Sequence, residues 1–127
     1  MKIDSETAEL EFSRLCESWD IERVEDDPEY DRLKSTVVRA IQKGVVTIDE
    51  ECNLKVTFAY EGSLGAVTLD PAKARMGVID QYKSDQNFMR MMALLGTMCG
   101  EAPKMLARCD VRDTKLLMAI GALFLGG

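Results

Sequence analysis

The sequence predicts an α+β fold that is predominantly helical, with about five or six helices around a small central antiparallel β-hairpin or three-stranded sheet. Three observations predict it. Apolar residues recur at helical spacing in several separate stretches, whereas residues 45–69 are β-branched and alternating. Two Asp-Pro pairs, Asp27-Pro28 and Asp70-Pro71, each offer an N-cap followed by proline at the first helical position. At 127 residues the chain fits a single domain. It reads as an acidic helical pair (1–44), a β-hairpin region (45–69) and an apolar helical region (70–127).

Ala8, Phe12, Leu15, Cys16 and Trp19 make one helical stripe with Glu6, Glu9, Glu11 and Glu17 outside it, which predicts a helix from Ser5 to Trp19. The acidic stretch Asp20 to Asp27 interrupts that pattern, and Asp27-Pro28 starts a second helix. Its inner stripe is Tyr30, Leu33, Val37, Ala40 and Ile41, and Gly44 stands where a left-handed residue would stop it. Val45 to Ile48 and Leu54 to Tyr60 then read as two strands joined by the polar turn Asp49 to Asn53. A short third strand, Ala66 to Leu69, follows the loop Glu61 to Gly65.

Asp70-Pro71 predicts another helix, with Val78, Ile79 and Tyr82 on its inner face, and Ser84 or Asp85 is placed to cap the next one. In that next helix Phe88, Met91, Met92, Leu95, Met98 and Cys99 share a stripe, while Met89, Ala93 and Leu94 make the opposite side apolar too. Such a helix is either central or covered by a partner. Gly100 ends it, a short helix spans Pro103 to Ala107, and Asp110, with Asp113 three residues on, opens a last helix carrying Leu116, Leu117, Ile120 and Phe124. The chain closes on Leu125-Gly126-Gly127, apolar and expected to be flexible.

The net charge of −6 opposes binding to phosphate backbones or anionic lipid, so neither nucleic acid nor membrane is an expected partner. That charge is uneven: residues 1–64 carry 16 acidic and 8 basic side chains, net −8, against 6 and 8, net +2, in residues 65–127. Cys16, Cys52, Cys99 and Cys109 form no CxxC pair and read as reduced thiols of a cytoplasmic protein. With no histidine, Ser-His-Asp and Cys-His catalysis are excluded. Neither the adjacent carboxylates Asp26-Asp27 and Glu50-Glu51 nor any glycine motif builds a recognisable metal or phosphate site. No catalytic residue, cofactor or metal is therefore expected. A helix-turn-helix drawn through Lys83-Ser84-Asp85 would present Phe88, Met89, Met91 and Met92 where polar side chains must reach base edges.

Chemistry is carried instead by the methionines, whose unbranched thioethers adapt to irregular partners. The same residues also suit a core, and part of the stripe is expected on each side of that divide. The expected partner-binding set is Phe88, Met89, Met91, Met92, Leu95 and Met98, together with Leu116, Leu117, Ile120, Leu123 and Phe124 of the last helix.

Residues 56–126 bring a resemblance. Val67-Thr68-Leu69-Asp70-Pro71, Tyr82-Lys83-Ser84-Asp85, the run Leu94-Leu95-Gly96-Thr97-Met98-Cys99-Gly100, the link Glu101-Ala102-Pro103 to Leu106, and Cys109-Asp110-Val111-Arg112-Asp113 with its closing helix follow an order and spacing similar to the tail assembly chaperones of Mu-type contractile-tailed phages. Residues 1–55 add an acidic helical pair outside that pattern, and Met stands at many usual Leu and Ala positions. The resemblance implies a non-catalytic protein of the infected bacterium's cytoplasm, absent from the finished virion, which coats the tape-measure protein and helps recruit tail-tube subunits. It also implies a longer form of the chain made by translational frameshifting, and leaves homo-oligomerisation open. The alternative is a small cytoplasmic regulatory or adaptor module whose methionines are ordinary core.

Overall fold

A computed structural model describes residues 3–60, 62 and 64–125; the expected tail Gly126-Gly127 and, in the loop after the second strand, Glu61 and Ser63 lie outside the described residues. The fold is α+β and predominantly helical, with a three-stranded antiparallel sheet. In chain order it runs α1 (Ser5–Trp19), α2 (Pro28–Lys43), β1 (Val46–Ile48), β2 (Leu54–Thr57), β3 (Ala66–Leu69), two 3-10 segments (Pro71–Lys73 and Met76–Gln81), α3 (Asn87–Cys99), α4 (Pro103–Ala107) and α5 (Val111–Phe124).

The first two helices begin and end where local chemistry says they should. Asp4 accepts from the Thr7 amide and Asp27 from the Glu29 amide, so each helix start has a side-chain oxygen on one of its orphan donors. Gly44, at φ 80°, closes α2 in the left-handed region, as its position in the sequence predicts. Asp20 does the same for α1 at φ 55° without being glycine, its amide reaching the Cys16 carbonyl.

The strands pair in the order β1-β2-β3, with Val46 opposite Val56, Ile48 opposite Leu54, and Leu54 opposite Leu69. Alternation places Val46, Leu54, Val56, Val67 and Leu69 on the buried face and leaves Thr47, Lys55, Thr57 and Thr68 outside. The buried face joins the side chains of α1, α2, α3, α4 and α5 in one apolar cluster that includes Phe12, Leu15, Trp19, Leu95, Leu106 and Leu117.

Three expected elements differ, the simplest being the strand expected over Leu54 to Tyr60, which ends at Thr57. The helix expected after Asp70-Pro71 is instead two 3-10 segments separated by extended backbone at Ala74 and Arg75. One contact is tertiary and two are local: the Arg75 amide donates to Thr97 Oγ1 at 3.1 Å, and the Arg75 guanidinium donates to the neighbouring carbonyls of Ala72 and Ala74 at 3.0 and 2.8 Å. The polar groups that a second α-turn would use are already satisfied. Val78, Ile79 and Tyr82 are accordingly only half-buried. Neither Ser84 nor Asp85 caps α3; the flanking residue is Gln86, whose side chain turns back to accept from the Lys83 amide.

The larger correction concerns α3. It lies against α4, α5, β3 and both 3-10 segments, so its apolar circumference is spent on its own chain. Met92, Leu95 and Met98 are enclosed, and so are Leu116, Leu117, Ile120 and Leu123 of α5. These seven are core residues, not an open partner surface. Of the expected set, Phe88 remains exposed, and Met89, Met91 and Phe124 are half-buried.

Candidate functional site

A broad hollow lies along the seam of α2 and α5, which pack antiparallel. Its wider part, ≈ 620 Å³, is lined by Glu29, Arg32, Leu33 and Thr36 of α2, by Val111, Thr114, Lys115, Met118, Ala119 and Ala122 of α5, and by Phe88 from the start of α3. A second hollow of ≈ 290 Å³ meets it at Thr36 and Lys115 and carries the groove on past Arg39, Ala40, Lys43, Val45, Ala59, Tyr60, Arg112, Asp113 and Leu116. At 1.5 Å per residue the 16-residue α2 makes this seam about 24 Å long.

Helical geometry sets what each part presents. On α2, positions 32, 36, 39 and 43 fall on one stripe, which brings Arg32, Arg39 and Lys43 to the groove while Val37, Ala40 and Ile41 turn inward. On α5, Val111, Lys115, Met118 and Ala122 share the facing stripe, and the small Ala119 and Ala122 leave room between the helices. Phe88 (39% exposed) and Val111 (65% exposed) are large apolar side chains left uncovered at the wider end.

The narrower end is held by polar contacts. Asp110 caps α5 by accepting from the Arg112 amide at 2.9 Å, and its two oxygens also take Arg112 Nε at 2.9 Å and Nη2 at 3.0 Å. That guanidinium lies 3.5 Å from the centre of the Tyr60 ring, a cation–π arrangement that fixes the wall of the groove. Asp113, only 2% exposed, accepts from the Ala59 amide at 3.2 Å and so fastens the chain after β2 to the first turn of α5.

Hydrogen bonds from Arg112 hold the Asp110 carboxyl at a pKa of about 2, below its ordinary 3.8. A carboxyl with a depressed folded-state pKa stabilises the fold above its unfolded value, and that contribution is lost as pH falls through the folded one. Acid titration should therefore loosen the N-terminal turn of α5 between about pH 4 and pH 2. Amide exchange at Arg112 is the measurement, and an Asp110→Asn variant should show no such acid-dependent rise.

Five cations, Arg32, Arg39, Lys43, Arg112 and Lys115, line the two hollows together, against the carboxylates Glu29 and Asp113. Arg32 lies 3.8 Å from Glu29, and Arg112 is taken by Asp110. Arg39, Lys43 and Lys115 form no ion pair among the described residues. A local excess of positive charge thus sits on a chain whose net charge is −6.

Of the residues the sequence singles out, the groove gathers Phe88 on its rim and Leu116 on its floor. Met91 instead lies over Gly121 of α5, and Phe124 meets the Trp19 ring edge-on at 5.4 Å. The cations were missed because attention to apolar spacing passes over them; the stripe 32-36-39-43 is the signal that finds them. All four cysteines are free, and burial pushes the Cys16 and Cys99 thiols up, away from the nucleophilic thiolate. Among the described residues no group of His, Cys, Asp or Glu side chains is placed to hold a metal ion, and no helix is long and apolar enough to cross a membrane. Comparison with family models, with curated proteins and with solved structures gives no match to this chain.

Proposed function

We propose that this chain is a non-catalytic holding protein of phage tail assembly, which binds helical segments of the tape-measure protein in the host cytoplasm and helps recruit tail-tube subunits. One observation carries the holding role: an elongated groove between α2 and α5 with exposed Phe88 and Val111 and half-buried Leu33, Met118 and Ala122 along it. A groove of this shape suits an amphipathic helix laid lengthwise, with its apolar stripe on those side chains. The tail-assembly assignment rests on the resemblance over residues 56–126. The surface offered to the client is the α2/α5 seam rather than the methionine stripe of α3.

Co-expression with the tape-measure protein tests this reading. The client should stay in the supernatant with the wild-type chain and return to the pellet with a Phe88→Ser/Val111→Ser variant. A client that stays insoluble beside the wild-type chain defeats the proposal.

A second reading, a small regulatory or adaptor module, is favoured by the enclosure of Met92, Leu95 and Met98 in the chain's own core. It keeps the groove and changes the client. Recovery of a short host segment in the groove, with no effect on tape-measure solubility, is the result that selects it.

A further inference from the structure

The shape of the groove selects helices in general, whereas its charge selects among them. Arg39, Lys43 and Lys115 form no ion pair among the described residues; Lys115 lines the wider hollow with apolar Leu33 and Val111 and also the adjoining narrower one, where it is joined by Arg39 and Lys43. Cations left unpaired on an acidic chain face a long-range field that repels other acidic bodies everywhere except at such a patch. A helix whose apolar stripe is flanked by Glu or Asp meets both features at once: its stripe covers Phe88 and Val111, and its carboxylates meet the cations on either wall. A helix flanked by Lys or Arg would set like charges against them.

We infer that the α2/α5 groove takes an acidic amphipathic helix of a partner protein and discriminates against a basic one of the same apolar pattern. This rests on the groove being a holding site, and it narrows the partner from any helix to an acidic one.

The test uses the full chain and two synthetic helical peptides of about 18 residues, enough for about 27 Å of helix. Both carry the same leucine stripe, and one carries glutamate and the other lysine on its flanks. Fluorescence anisotropy should show the acidic peptide binding at least about tenfold more tightly than the basic one, the preference shrinking as salt is raised. Arg39→Glu/Lys115→Glu should remove or invert the preference, and both positions are exposed, so the circular dichroism spectrum should be unchanged. Phe88→Ser/Val111→Ser should weaken both peptides while leaving the preference in place. Equal binding of the two peptides, tighter binding of the basic one, or binding of neither overturns the inference.

One competing occupant is on the molecule itself. The outer face of α1 presents Glu6, Leu10 and Glu17, with Leu10 67% exposed. If a second copy fills the groove with that face, the mass in solution will rise with concentration, Leu10→Asp will abolish the rise, and the acidic peptide will fail to bind until copies separate. That result also overturns the assignment to another protein. The two experiments fail independently: a tape-measure protein that stays insoluble removes the phage assignment but leaves the acid preference standing, and the converse holds.

Discussion

Trp19→Ala should lower the stability of the fold by about 3–5 kcal/mol, the range for truncating a large buried aromatic. The side chain is 5% exposed and stands where three parts of the chain meet. It ends α1, its Nε1 donates to the Cys52 carbonyl at 2.7 Å in the turn between β1 and β2, and its ring meets Phe124 near the end of α5. Cys52 is held at φ 61°, a conformation disfavoured for a side-chain-bearing residue, so the hydrogen bond stabilises the turn in that form. Alanine removes the ring, the donor and the aromatic contact together and leaves a cavity with no single element able to close it.

Trp19→Phe separates these terms. It keeps most of the apolar contact and removes the donor, so the expected loss is about 1–2 kcal/mol. Urea unfolding followed by far-UV circular dichroism is the measurement, because the chain has a single tryptophan and the variants lose its fluorescence. An unchanged slope with a lower midpoint identifies the effect as stability rather than a change in the unfolded state. A loss below about 1 kcal/mol for Trp19→Ala would mean that the ring is not packed at this junction.

Legibility in the sequence followed the range over which each decision is made. The bounds of α1, α2 and α5 are decided within a few residues, by side-chain caps at Asp27 and Asp110, by the glycine at 44 and by the spacing of Phe12, Leu15 and Trp19, and there the reading and the fold agree. The short strand Ala66–Leu69 is equally local, since its alternation needs no knowledge of what lies above it. Residues 71–82 are decided in part at a distance, where Thr97 of α3 takes the Arg75 amide, and in part by Arg75 itself, whose guanidinium holds the Ala72 and Ala74 carbonyls. Nothing near Pro71 in the sequence announces the Thr97 contact.

The division of the α3 stripe between core and surface has another cause. A helix apolar on all sides has one sequence and two destinies, core or partner surface, and the choice depends on how many neighbours its own chain supplies. Here α4, α5, β3 and the 3-10 segments supply enough to enclose Met92, Leu95 and Met98. The groove is also non-local: the cation stripe of α2 is visible in the sequence, but its meeting with Lys115 and Val111 depends on the antiparallel packing of two helices more than sixty positions apart.

Gly96→Ala should destabilise the protein by about 1–3 kcal/mol, the usual cost of overpacking, although the same exchange in a free helix would favour folding by about 1 kcal/mol. Its sign is decided by what the added methyl meets. At Gly96 it would run into the carbonyl oxygen of Glu101, which is backbone and has little freedom to retreat. The Gly100 and Glu101 amides both donate to the Gly96 carbonyl, at 2.8 and 3.1 Å, and Gly100 is held at φ 77°. Moving Glu101 therefore disturbs the whole reversal from α3 into α4, including the entry to Pro103.

Gly121→Ala is the matched contrast, because it is also a buried helical glycine with a contact too close for a methyl. There the obstacle is the thioether end of Met91, a flexible and half-buried side chain that can rotate aside. With the clash relieved by a rotamer change, the helix preference of alanine remains, and Gly121→Ala should be neutral or stabilising by up to about 1 kcal/mol. Thermal and urea unfolding of the two variants side by side give the comparison. If both substitutions stabilise, the backbone after α3 yields more readily than its paired hydrogen bonds imply; if both destabilise, Met91 is locked against Gly121 and acts as part of the core.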